Sequence, residues 1–108
     1  MAELTTLSCV ACSGDSPLAS SEEIETLRLQ VPSWDVLSSE GVGKLERVFA
    51  FNDFTQALDF TNNVGKLAEK ENHHPAILTE WGRVTVTWWT HKIGGLHHND
   101  FVVAAKTD

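Results

Sequence analysis

The stretch Glu69-Lys70-Glu71-Asn72-His73-His74-Pro75 sits where a long helical pattern gives way to a strand pattern, and the rest of the chain reads as its scaffold. Pro75 disfavours the α conformation at His74, so the helix must end before that residue and the pair of histidines must lie in extended backbone. Imidazole, with an ordinary pKa of about 6.5, gives and takes protons near neutral pH. Neighbouring side chains on extended backbone point to opposite sides, so His73 and His74 are expected to face different surroundings and not to grip one metal ion together. A third imidazole, His91, follows the β-forming run Arg83-Val84-Thr85-Val86-Thr87-Trp88-Trp89-Thr90. His73, His74 and His91 are therefore a candidate acid/base cluster.

Upstream of the histidines, Phe54, Ala57, Leu58, Thr61, Val64, Leu67 and Ala68 recur at three- and four-residue steps, which predicts one helix from an Asp53 cap to about Lys70 with that face on a sheet. Earlier, Ser20 precedes Glu22 and Glu23, an N-terminal helix signature, with Ile24, Leu27 and Val31 on one side and Pro32 as the stop. Two strands are expected next, Trp34 to Leu37 and Lys44 to Phe51. A hairpin follows the long helix, Ile77 to Trp81 and Arg83 to Thr90, turning at Gly82. Side-chain alternation separates Val84, Val86 and Trp88, the core set, from Thr85, Thr87 and Trp89. Gly94-Gly95 bends the chain away, and Asn99 or Asp100 starts a last helix in which Phe101, Ala104 and Ala105 dock. The order α-β-β-α-β-β-α predicts an α+β fold, a four-stranded antiparallel sheet with helices on one face.

A chain of 108 residues with 42% apolar and 21% charged side chains has room for one domain, here residues 20–108, preceded by an extension over 1–19. The formal net charge of −7 and the lack of a basic stripe argue against direct contact with nucleic acid. No apolar run reaches the about 18 residues of a membrane span, and the first residues do not resemble a signal peptide, so a soluble cytoplasmic protein is expected. The two cysteines, Cys9 and Cys12, have no second pair to complete a zinc site and are followed by a turn-like Ser13-Gly14-Asp15-Ser16-Pro17. They read as reduced thiols in the extension.

Three motifs taken together, Glu69-x-x-x-His73-His74-Pro75, Trp81-Gly82-x-Val84-x-Val86-x-Trp88-x-Thr90-His91 and Gly95-Leu96-x-x-Asn99-Asp100, resemble those of the pterin-4a-carbinolamine dehydratases, in their bacterial form. This chain has Asn72 and Ile77 where the family often carries Asp and an aromatic. The resemblance implies loss of water from a 4a-hydroxytetrahydropterin, such as 4a-hydroxytetrahydrobiopterin, to give the quinonoid dihydropterin, recycling the cofactor of phenylalanine hydroxylase. It implies no metal and no cofactor, and assembly as a homodimer or homotetramer. Position for position, it makes His73 and His91 the acid/base residues and His74 a pterin-binding residue, with Glu69, Thr90, Asp100 and Trp89 around the substrate. His97 and His98 fall outside that set. Animal members of the family also act as dimerisation cofactors for a transcription factor, so a protein-binding module is the alternative reading.

Overall fold

The computed structural model describes residues 4–6 and 18–108, so Cys9, Cys12 and the turn expected at 13–17 lie outside the described residues. Helix α1 (Ser21–Leu27) begins on Ser20, whose Oγ accepts the Glu23 N–H at 3.1 Å while Glu23 Oε1 accepts the Ser20 N–H at 3.1 Å. The reciprocal pair satisfies two N–H groups that a helix start leaves without partners. A 3₁₀ turn, Arg28–Gln30, ends the segment. Strands β1 (Asp35–Ser39) and β2 (Val42–Ala50) follow, then α2 (Phe54–Glu71), β3 (Ala76–Glu80), β4 (Arg83–Trp88) and α3 (His98–Thr107). The element order is the one the sequence predicts. The strands form one antiparallel sheet in the order β1-β2-β4-β3.

Strand alternation decides which face of the sheet is covered. Leu45 pairs with Trp88, and Leu45, Val84, Val86 and Trp88 are all fully buried on the helix side. Glu46, Val48, Thr85 and Thr87 project from the opposite side and are more exposed. Each fully buried side chain of this size contributes about 1.5–3 kcal/mol, so a register slip of one residue, which would exchange the two sets, is strongly disfavoured.

The helices differ from expectation in two respects. On α2 the buried face runs through Ala57, Val64 and Ala68, with Phe60 and Leu67 packed against it, whereas Phe54 and Leu58 are exposed. The face is rotated because Phe60 packs, with its ring tilted, against Phe49 of β2 and Phe51 just past its end, with ring centroids 4.5 and 5.2 Å apart. On α3 not one stripe but the whole span from Asn99 to Ala105 is buried. The sheet, α2 and the 3₁₀ turn Leu4–Thr6 surround this helix. Leu4 is buried in the core and its N–H donates to Gln30 Oε1 at 3.0 Å, and the Ala19 N–H donates to Leu96 O at 2.8 Å, so both described parts of the 1–19 stretch are fastened to the rest. Among the described residues, no helix is long and apolar enough to cross a membrane.

The end of α2 is shaped by Asn72, which has φ 50° and ψ 44° and donates its N–H to Ala68 O and Glu69 O. This left-handed cap turns the chain out of the helix one residue before His73. Asn tolerates that conformation better than residues branched at Cβ, for which it costs about 1–2 kcal/mol. Replacing Asn72 by Gly should leave the melting temperature nearly unchanged or raise it, whereas Asn72→Val should destabilise by about 1–2 kcal/mol in denaturant titration.

Candidate active site

His73 emerges just past the left-handed cap. Its own N–H donates to Ala68 O at 3.1 Å, which completes the helix end, and its side chain turns inward with only 11% of its surface exposed. The Nε2 of His73 is 2.6 Å from Asp100 Oδ1, and its ring stacks on Trp88 with centroids 5.8 Å apart and planes at 10°. Trp88 is in turn held by a bond from Nε1 to Thr107 Oγ1 at 3.2 Å. Glu71, two residues before His73, is nearly buried and meets Lys106 Nζ at 3.2 Å, which ties the end of α2 to α3.

Asp100 is fully buried. An isolated buried carboxylate is costly, so its partners matter. Besides His73, Asp100 accepts a bond from Thr90 Oγ1 at 2.8 Å and one from the His97 N–H at 2.9 Å, both at Oδ2. The position also lies in the first turn of α3, where the aligned backbone dipoles favour a negative charge. Helix α3 is thus capped by His97 and not by Asn99 or Asp100, because Asp100 reaches back to the His97 backbone from three residues on while His97 Nδ1 accepts the Asn99 N–H at 3.1 Å. Thr90 does not continue β4, which ends at Trp88. It forms an isolated antiparallel bridge with Gly95, with Thr90 N–H to Gly95 O at 2.9 Å.

His91 therefore stands in a short 3₁₀ turn, His91–Ile93, closed by Gly94 at φ 64°, instead of extending the strand. The ring of His91 is exposed and stacks on Trp89 at 4.3 Å, with planes 12° apart, and Lys44 Nζ lies 4.3 Å from the centre of the Trp89 ring. His74 points the other way from His73, as extended backbone requires, and its Nε2 is 2.6 Å from Glu69 Oε2 on the surface. Both members of this second pair are exposed, so it contributes little to stability.

The structure thus brings His73, Thr90 and Asp100 into one hydrogen-bonded cluster, stacks Trp89 and His91, which flank Thr90 in the chain, on each other, and leaves His74 with Glu69 on the surface. Trp88, His97 and Lys44 belong to these arrangements although the sequence reading gave them no part. Trp88 was legible only as a core residue. Chemically, a neutral His73 that donates Nε2–H to the Asp100 carboxylate carries its lone pair on Nδ1, where it accepts a proton, and as imidazolium it delivers one.

A family model described as pterin 4 alpha carbinolamine dehydratase matches residues 17–108. The chain belongs to that family. A protein of Nitrosococcus oceani, named provisionally as a pterin-4-alpha-carbinolamine dehydratase, is 56% identical over all of this chain and 96% of its own length. One of Chlorobium limicola with the same provisional name is 57% identical over 99% of this chain and 95% of its own. Among solved structures, a transcriptional coactivator/pterin dehydratase from Brucella melitensis superimposes with a TM-score of 0.75 at 28% identity, over 84% of this chain and 95% of that one. A pterin dehydratase-like protein described as a RuBisCO assembly factor in the alpha-carboxysome shares the fold, with a TM-score of 0.59 at 24% identity, over 69% and 84% of the two chains. Family membership and the α+β fold named from the sequence are both upheld.

Burial lowers the pKa of His97 from its ordinary 6.5, against an opposing pull from Asp100, with His98 and His73 adding to the lowering and Glu23 opposing it. The cap also needs Nδ1 without a proton, since Nδ1 is the acceptor. A folded-state pKa below the unfolded one means that the unfolded chain binds more protons, so this contribution is complete above about pH 6.5 and is lost as pH falls through the folded value. Melting temperature should fall between pH 7 and 5, and His97→Asn, a cap that does not titrate, should flatten that fall. Identical pH slopes in the two proteins would contradict the assignment.

Proposed function

We propose that this protein dehydrates a 4a-hydroxytetrahydropterin, of which 4a-hydroxytetrahydrobiopterin is the expected example, to the quinonoid dihydropterin and water, and so returns the cofactor of phenylalanine hydroxylase to use. The observation that carries this reading is the buried Asp100 carboxylate bonded to His73 Nε2. Hydroxide leaves C4a poorly unless it is protonated, and the N5 proton must be removed as the C4a–N5 double bond forms. The C4a–O bond breaks, the oxygen departs as water with the proton from the acid, and the base keeps the N5 proton, so one proton is taken and one given. Such assistance is typically worth about 10²–10⁴ in rate. His73 and His91 are the acid and base. His74 binds the pterin, with Glu69, Thr90 and Asp100 completing the surroundings. The mechanism draws on imidazole proton transfer alone and calls for no metal.

The catalytic domain in this reading is 20–108, with 1–19 an extension held to it at Leu4 and Ala19. It works in the cytoplasm as a homodimer or homotetramer. A second reading, a protein-binding module, is favoured by one finding, the joint name of the Brucella relative as coactivator and dehydratase. Tight binding of a transcription factor by a protein that leaves the carbinolamine untouched would support it.

The direct test generates the 4a-hydroxypterin with a hydroxylase and follows its decay with and without the protein, and no acceleration would remove the main reading. Because C4a is a stereocentre, its hydroxyl projects from one face of the pterin or the other. His73 follows a helix and His91 follows a strand, so each is the better-placed acid for one epimer. In stopped-flow assays of the separated epimers, His73→Ala should slow one by about 10²-fold or more and His91→Ala the other. Equal slowing of both epimers by both variants would mean that the two histidines act as one unit.

A further inference from the structure

The two imidazoles assigned to acid/base work are held by different means. His73 has a carboxylate on one ring nitrogen and Trp88 against its face. His91 has no carboxylate, and no hydrogen bond to its ring is seen among the described residues. It lies in an exposed 3₁₀ turn, where an imidazole rotates freely about its side-chain bonds unless something restrains it. The restraint present is the indole of Trp89, nearly parallel to the imidazole at 4.3 Å.

That indole is itself anchored. Trp89 comes just after the end of β4 and is half-buried, and the Lys44 ammonium lies 4.3 Å from its ring centre. Lys44 is next to Leu45, which faces the core opposite Trp88, so alternation sends Lys44 to the other side of β2, as it sends Trp89 to the other side from Trp88. A cation over an indole face is attracted by the ring quadrupole, which suits an ammonium on a regular strand to fixing an aromatic side chain at a strand end.

We propose that Trp89 and Lys44 are positioning residues that set the plane of His91 for proton transfer, Trp89 by stacking and Lys44 by holding the indole from β2. This rests on the dehydratase reading for its kinetic part and not for its structural part. In it, Trp89 acts through His91 and not as a surface for the pterin. The indole is already engaged by His91 and Lys44 of the protein itself. A histidine held by stacking keeps both ring nitrogens free for a substrate oxygen or nitrogen, which the carboxylate-bound His73 does not.

Two measurements on the full chain test the proposal. In proton NMR the His91 Cε1–H resonance, assigned by its loss in His91→Asn, should lie upfield in the unaltered protein through the indole ring current. It should move toward the unstructured position in Trp89→Leu and part of the way in Lys44→Met. In dehydration assays Trp89→Leu should lower kcat by about tenfold or more with KM changed less than about twofold, since misplacing a catalytic group by a fraction of an ångström costs rate and not binding. Trp89→Phe, which restores an aromatic face, should recover most of that loss, and Lys44→Met should cost about two- to threefold. A His91 resonance unmoved by Trp89→Leu would overturn the proposal, as would a rise in KM at constant kcat, which would make Trp89 a ligand contact. Should the unaltered protein fail to dehydrate the carbinolamine, the function proposed above falls, and the resonance alone decides whether the indole holds His91.

Discussion

The fully buried carboxylate of Asp100 is the group on which the rest of the site depends. Leaving it unpaired would cost several kcal/mol, and three donors from three separate segments prevent that: the His73 imidazole after α2, the Thr90 hydroxyl after β4 and the His97 backbone at the start of α3. His73 is distant in sequence from the other two and reaches them only through the fold. The deep burial of α3, with Phe101, Val102, Val103 and Ala104 wholly inaccessible, brings the carboxylate to that meeting point. The Thr90–Gly95 bridge presents the hydroxyl, and the left-handed turn at Asn72 presents the imidazole. Charge-assisted bonds of this kind are stronger than neutral ones and more sensitive to geometry. Packing and site organisation are therefore one event in this chain.

The consecutive tryptophans at the end of β4 extend the same logic to the second histidine. Alternation of side chains sends Trp88 into the core beneath His73 and Trp89 away from it, where it stacks on His91. Thr90, the next residue, bonds to Asp100, so three successive residues address His73, His91 and the carboxylate in turn. A histidine bonded to a carboxylate and one stacked on an aromatic face are held by different contacts, which suits the proton given and the proton taken in the proposed dehydration.

Much of this was legible in the sequence, for reasons that differ from element to element. The strands and their inward faces follow from the alternation of Val84, Val86 and Trp88 with Thr85 and Thr87, a period that needs no tertiary information. The Ser20 and Asp53 caps are local hydrogen bonds and were visible for the same cause. The Pro75 rule placed His73 and His74 outside the helix and on opposite sides, as found. What escaped depended on contacts between distant residues. The rotation of α2 comes from Phe60 meeting Phe49 and Phe51, and the burial of α3 from Asn99 to Ala105 comes from the sheet, α2 and the Leu4–Thr6 turn closing round it. The capping of α3 by His97 could have been suspected from Asp100 three residues later, yet histidine is an unusual cap and the Asn99-Asp100 pair drew the assignment. That β4 stops at Trp88, short of the Thr90 expected, was hidden because Trp89 and Thr90 are compatible with β structure, and Thr90 instead bridges to Gly95.

The most direct test of the organising role of Asp100 is the single-turnover rate of 4a-hydroxypterin dehydration by Asp100→Asn, measured beside its thermal melting. The amide is the same size, and its oxygen can still accept from Thr90 and the His97 N–H, but its NH₂ then faces His73 Nε2 and becomes a donor there. The neutral imidazole must take its other tautomer, with the proton on Nδ1 and no lone pair for the substrate. A loss of about 10²-fold or more in rate, in a protein that melts as a folded domain, is the predicted result. An unchanged rate would contradict it, and with it the claim that the buried carboxylate sets the proton on His73.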